Sequence, residues 1–352
     1  MSITLTSVSN DILSTTIYDI EDSVSDALFQ TTPFLSVAKK LKKIKYFNGG
    51  FKLVVPVETD ESTQMTVLSS GWEPLNMSVK DALDNAEYDW LRVAMPVLIS
   101  GREEAINSGE KAIIDLAEVR YKNALAALMR KINKQIVAGD VTGLSALGTL
   151  NGTATLGSAT GFLQNAALGS QTNNMGGLSR GSIVGLNNQF ATVGVSGGGT
   201  AAFSLNGLKK MYELEAKAST VSPAGGDGGR FHLTLASTTS YIEYRNALAD
   251  KERYVDAKTL DAMGVQSLAF SSGIIMPERE MSVAGSASAN DSSMYMLNLD
   301  GISLQIHKDA DFKFTGFENV TGYDGRYGRI LFMGGLTASH LGSSAILTDA
   351  EG

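Results

Sequence analysis

Two stretches carry the Gly-x-Ser-x-Gly spacing of a serine nucleophile: residues 177–181 around Ser179, and 194–198 around Ser196. That spacing serves catalysis when an apolar strand runs into the serine and a helix leaves it, so that the hydroxyl stands on a strained turn. Neither setting is present. Ser170-Gln171-Thr172-Asn173-Asn174 precedes the first motif, and more glycine follows Ser196. With 37 glycines in 352 residues, such matches arise by chance. No Gly-Lys dipeptide occurs, which removes the phosphate-binding loop and its lysine. His232, His307 and His340 are far apart, and none belongs to a His-Glu-x-x-His pattern. His307, Asp309 and Asp311 have the donor atoms for a metal ion, but they read better as the polar end of a strand entering a turn. Cysteine is absent, so disulfides and thiolate metal sites are excluded. An enzyme is therefore not expected, and neither is a cofactor or metal.

Composition points away from chemistry and toward association. Charged residues are 19% of the chain against roughly 25% in ordinary usage, hydrophobic residues are 43%, and mean hydropathy is near zero. Large exposed apolar patches are rare on monomers, so burial between copies is one way to hide such a surface. A net charge of −8 argues against a protein that wraps nucleic acid, whose affinity would rest on Lys and Arg facing phosphates. Met1-Ser2-Ile3-Thr4-Leu5-Thr6 lacks the basic start and apolar run of an export signal. No stretch reaches the 18 or so apolar residues of a membrane span, so no membrane partner is expected.

The elements that would position any functional surface follow from periodicity. Ile17, Ile20, Val24 and Leu28 give a helical pattern over 11–41, divided by Pro33, with Asp19, Glu21 and Asp22 on a solvated face. Lys39, Lys40, Lys42, Lys43 and Lys45 then form a dense basic run, read as solvated or neighbour-facing, with DNA contact as the alternative. After the turn Asn48-Gly49-Gly50, Phe51, Leu53, Val55 and Val57 alternate as in a strand. A second extended run covers 87–100, with Tyr88, Trp90, Arg92, Ala94 and Leu98 on one face. Pro56 and Pro96 place both runs at sheet edges. Together they predict a long two-stranded arm. A lone hairpin is marginal in water, so the arm is expected to lie on a neighbour, with Trp72 and Met77 at its tip making contacts.

Asn107 and Glu110 make a capping box for a helix over 109–137, and Gly139 stops it. Its stripe is Ile114, Ala117, Tyr121, Leu125, Leu128, Ile132 and Ile136. At about 1.5 Å per residue the helix is roughly 40 Å long. Residues 139–200 are rich in Gly, Ala, Ser, Thr and Asn, and predict short strands and turns. Ser204 caps a helix to Ala218, and another helix spans 239–249. Strands are predicted at 231–235, 266–270, 273–276, 294–299, 302–307 and 327–333. The class is α+β.

Several blocks resemble the major capsid proteins of tailed bacteriophages, which have the Hong Kong 97 fold. Gly49-Gly50 before Leu53-Val54-Val55-Pro56-Val57 is similar to the opening of that family's extended loop. Ala86-Glu87-Tyr88-Asp89-Trp90 and Ile99-Ser100-Gly101 resemble its return, and Asn107-Ser108-Gly109-Glu110 leads into what looks like its spine helix. Gly176-Gly177-Leu178-Ser179-Arg180 is similar to a Gly-Gly-x-x-Arg block of related capsid proteins. Arg253-Tyr254, the stretch from Gly264 to Phe270 and Met294-Tyr295-Met296-Leu297-Asn298 resemble the second half of their axial domain, and Gly334-Gly335-Leu336-Thr337 with Ser339 their last strand. The blocks run in order over about 48–340; the enlarged stretch 141–172 departs from the family pattern.

The resemblance implies an N-terminal arm (1–48), an extended β-hairpin loop (49–100) and a peripheral domain begun at 101–203 around the spine helix. An inserted axial domain (204–300) and C-terminal strands returning to the peripheral domain (301–352) follow. It implies self-assembly as hexamers and pentamers into an icosahedral shell around a phage genome, hence a place in the virion after assembly in the host cytoplasm. The implied partners are a portal protein and packaged double-stranded DNA held without sequence-specific binding. Only 48 residues precede Gly49, which leads us to expect a separate scaffolding protein. An encapsulin-like nanocompartment shell is the alternative, and a surface-layer or filament protein a further one. Lys80 and Asn319 have the chemistry for an intersubunit isopeptide bond, but nothing in their spacing selects them, and non-covalent locking is expected.

Overall fold

The computed structural model of the chain describes residues 32–59, 69, 71–72, 82–106, 110–139, 141–151, 161–166, 168, 170–171, 174–181, 183–193, 203–221, 229–249, 268–271, 273–282, 293–319, 322 and 324–348. The helical pattern over 11–31, Met77, Lys80, Asn107 and Ser196 lie outside these residues.

Helix α1 (Pro33–Lys40) starts at the proline that divides the first periodic segment, and leads into strand β1 (Ile44–Phe47). Strands β2 (Leu53–Glu58) and β3 (Leu83–Tyr88) form a two-stranded ribbon. Strand β4 (Leu91–Ser100), short helix α2 (Gly101–Ile106) and the 29-residue helix α3 (Glu110–Ala138) follow. The Gly- and Ser-rich region contributes β5 (Thr149–Asn151), β6 (Gly161–Leu163) and β7 (Gln189–Thr192). Then come α4 (Ser204–Thr220), β8 (Leu233–Ala236), α5 (Thr238–Ala249), β9 (Leu268–Phe270), β10 (Gly273–Pro277), β11 (Met294–Leu297) and β12 (Ile302–His307). Strands β13 (Lys313–Phe314), β14 (Glu318–Asn319), β15 (Gly325–Ala338) and β16 (Ala345–Thr348) complete the described chain.

Helix α3 follows its stripe. Ala117, Tyr121, Leu125, Leu128, Ile132 and Ile136 are all buried. Gly139 ends the helix in the left-handed region (φ +71°), its amide donating to the carbonyls of Lys134 and Gln135. The buried face packs on a six-stranded sheet whose backbone is β15. Strands β12, β13 and β14 line one edge of β15, and β4 runs antiparallel along the other from Leu91↔Gly334 to Ser100↔Gly325. Tyr121 meets the ring of Phe314 edge-on at 5.2 Å, joining helix to sheet.

The second sheet has the order β7-β16-β11-β8-β10-β9. Its central strands β8, β11 and β16 are buried along their whole length, which is why they read in sequence as continuous apolar runs. Alternation divides their side chains between two cores. Leu233, Leu235, Tyr295, Leu297 and Ile346 join α3 and the first sheet, while Ala236, Met294, Met296, Ala345 and Leu347 face α4 and α5 with Met211, Leu214 and Tyr244.

Three expectations are corrected. The extended run 87–100 is two strands, because Asp89 and Trp90 interrupt it and the buried phase slips from Tyr88 to Leu91, Val97 and Ile99. Trp90, Arg92, Ala94 and Leu98 share the outer side of this stretch, but Tyr88 is buried. The two-stranded arm therefore ends at Tyr88, and β4 belongs to the six-stranded sheet. The cap of α4 falls on Phe203, which already has helical angles, with Ser204 as the first helical residue. Strand β15 is twice the expected length, its ends blurred in the sequence by Gly325, Gly334 and Gly335. Strand β16 pairs with β7 and β11 in the second sheet.

Candidate assembly surfaces

The ribbon is the first surface. Its register sets Leu53 opposite Tyr88, Val55 opposite Ala86 and Val57 opposite Asp84 on one face. Leu53, Val57, Ala86 and Tyr88 are buried in the subunit's own core. The expectation that a neighbour alone orders this hairpin is thereby corrected, since alternation gives it an inner face that its own chain covers. The outer face is different. Val54 is 54% exposed and Leu83 71%, flanked by Glu58 and by a Lys52–Glu87 ion pair at 2.8 Å. Phe51, just before β2, is 94% exposed, and Trp72, between β2 and β3, 93%. Val54 and Leu83 were not singled out in the sequence, and Phe51 was read only as part of the alternation with Leu53, Val55 and Val57; for Val54 the signal available was the period of two in β2.

The basic run is the second surface. Lys39 and Lys40 close α1, where cations suit the carbonyl end of a helix. Lys43 makes an ion pair of 2.6 Å with Asp300 of the same chain. Asp311 accepts a hydrogen bond from Tyr46 and feels the charge of Lys39; burial pushes its carboxyl up. Burial, then Asp311, pushes the Tyr46 phenol up to about 12. Lys40, Lys42 and Lys45 stand exposed, with Lys45 on the edge strand β1. Strand β1 also exposes Tyr46 and Phe47.

The residues weighed for catalysis are scattered. Ser179 is exposed just after a turn closed by Met175 and Leu178, without the strand and helix a nucleophile needs. His307 ends β12, and its Nδ1 accepts from the Asp309 amide at the start of a 3-10 turn. His232 Nδ1 accepts from the Leu299 amide, and burial lowers the pKa of His340. Among the described residues no group of three ligating side chains is placed to hold a metal. A shallow groove between β4 and α3 is lined by Leu98, Ser100, Glu103, Arg120, Asp324 and Arg326; its ion pair, Arg120 to Glu103 at 2.5 Å, also ties Arg120 to the Leu98 carbonyl. That is a structural brace and not a nucleophile with a base.

Two buried charged groups were not foreseen. Arg180 is fully buried, and its guanidinium donates to backbone carbonyls of residues 161 and 162. Glu278, at the end of β10, faces α3, where Asn133 Nδ2 donates to its Oε1 at 3.2 Å. Burial pushes Glu278 up to about 7.

Solved structures share this arrangement. The capsid of cyanophage A-1(L) superposes with a TM-score of 0.56 at 13% identity, over 87% of this chain and 90% of that one. The fold is that of a phage capsid subunit, of the Hong Kong 97 type. The capsid of Myoviridae phage XM1 is also similar (13% identity, TM-score 0.49, 89% of this chain and 91% of that one covered). The capsid of a native GTA particle is similar as well (10%, 0.49, 89% and 90%). No family model matches the sequence, and no curated protein sequence matches it.

Proposed function

We propose that the chain is the major capsid protein of a tailed phage, which assembles as hexamers and pentamers into an icosahedral shell around double-stranded DNA. The observation that carries this reading is the likeness of fold to a capsid subunit over nearly the whole of both chains. In this reading β2 and β3 with the residues between them are the extended loop. Helix α3 and the first sheet are the peripheral domain; α4, α5 and the second sheet are the axial domain. A separate scaffolding protein and a portal protein are the partners, and the subunit has no catalytic task. The net charge of −8 suits a wall that does not hold the genome by many phosphate contacts. Lys40, Lys42 and Lys45 then meet acidic groups of an adjacent subunit. Each such exposed pair contributes only about 0–1 kcal/mol, and the shell repeats it many times.

The test uses the exposed apolar groups of the ribbon. In Phe51→Ser/Trp72→Ser/Leu83→Ser, the folding stability of the subunit changes by about 0.5 kcal/mol or less per site, since all three are exposed. Each apolar group buried between subunits contributes about 1.5–3 kcal/mol, so the concentration needed for assembly rises at least tenfold per site. Sedimentation of the triple variant should give folded, unassembled chains. Wild-type assembly by a folded triple variant would rule out the reading.

A further inference from the structure

Arg180 is among the largest side chains with no exposed surface, and among the described residues no carboxylate faces it. Its Nη2 donates to the carbonyls of Gly161 at 3.0 Å and Phe162 at 2.8 Å, and lies 3.7 Å from Met175 Sδ. Its Nη1 donates to Gln171 Oε1 at 3.4 Å. Burial lowers its pKa to about 10. Removing a cation from water without a counter-charge is costly, so this guanidinium adds geometry more than net stability. Its acceptors lie on three separate pieces of the Gly- and Ser-rich region, at 161–162, 171 and 175.

Those same pieces form the seat of the ribbon. The ring of Phe162 meets Tyr88 of β3 edge-on at 6.0 Å. The carbonyl of Gly176, next to Met175, accepts from the Glu87 amide at 2.9 Å. Gly176 takes a φ of +55° and approaches so closely that a Cβ there would lie 2.7 Å from Ala86 Cβ. Tyr88 Oη donates to the Ala338 carbonyl at 2.7 Å, tying the same root to β15.

We propose that Arg180 is the positioning residue of the ribbon: by fastening residues 161–162, 171 and 175 into one seat, it fixes the direction in which β2 and β3 leave the subunit. That this direction sets the curvature of an assembly rests on the capsid reading; the positioning itself does not.

Native-state hydrogen exchange separates the two. In Arg180→Met, exchange of the Glu87 amide is expected to speed up at least tenfold, while the amides of Met296 and Leu235 in the second sheet keep their wild-type rates. Arg180→Lys, whose ammonium serves the two carbonyls but not Gln171 as well, should give an intermediate acceleration. It is also the readable variant if methionine prevents folding. Particles formed by either variant should spread in diameter beyond the wild type. An unchanged Glu87 rate, or a rise matched in the second sheet, would overturn the positioning role. Accelerated Glu87 exchange in Arg180→Met, together with a wild type that assembles only into open sheets or filaments, would leave that role standing and remove the capsid reading.

Discussion

Phe332→Ala should destabilise the subunit by about 3–5 kcal/mol, the usual cost of deleting a buried aromatic ring. Phe332 is fully buried in the middle of β15, opposite Val93 of β4. Its ring lies 4.8 Å from that of Phe312, a contact worth about 0.5–1.5 kcal/mol beyond the area it buries. Because β15 touches β4, β12, β13 and β14, a cavity there loosens the sheet on which α3 rests. Native domains have only about 5–15 kcal/mol to lose. Leu98→Ala, on the exposed side of β4, is the matched control and should change stability by about 0.5 kcal/mol or less. Denaturant unfolding of both variants gives the comparison. Equal losses would mean that the first sheet does not carry the core.

The second large effect is a pH dependence. Glu278 is buried where the second sheet meets α3, and burial is the main cause that pushes it up to about 7 from its ordinary 4.5; the Glu280 charge adds to this, and hydrogen bonds from the Glu280 amide and Asn133 oppose it. Arg279 stands beside it in sequence, Arg130, Lys131 and Lys134 lie on α3, and Glu243 and Arg245 lie on α5, yet among the described residues only the charge of Glu280 acts on it. Glu278 Oε2 and Asn133 Oδ1 are both buried without a hydrogen-bond partner among the described residues. One proton on Oε2 supplies a donor where two acceptors stand unsatisfied.

The sign follows from the raised folded-state value. Below about pH 4.5 the carboxyl is protonated in both states and costs nothing. As pH rises toward about 7, the unfolded chain ionises while the folded one resists, so stability falls, and above that it levels off. The loss is on the order of 3 kcal/mol, at 1.36 kcal/mol per pKa unit. Glu278→Gln should remove this decline, so that wild type and variant diverge most above pH 7. Unfolding midpoints that fall equally in both between pH 5 and 8 would place the dependence elsewhere.

What the sequence disclosed was what a single element decides. Helix α3 was readable to within one residue at each end because its stripe, its length and Gly139 all agree. In the second sheet, β8 and β11 were readable because burial on both faces leaves runs such as Met294-Tyr295-Met296-Leu297 wholly apolar, whereas β16 was not read as a strand. The unreadable features depend on partners distant in the chain. The slip of phase at Asp89-Trp90 exists because β3 must pair with β2 and β4 with β15. Nothing near Glu278 in sequence places it against Asn133, 145 residues away. Arg180 was noticed only as part of a glycine-rich block, since its acceptors come from backbone carbonyls that any sequence would offer. On the assembly surfaces, the basic run was legible as charge, but the capture of Lys43 by Asp300 was not.

The central claim is that this chain builds closed shells. Electron microscopy of the particles formed by the full-length protein tests it most directly. The expected result is closed, curved shells tiled by sixfold and fivefold clusters, with the β2–β3 ribbon of each subunit lying on its neighbour. Filaments or flat sheets in place of closed shells would contradict it.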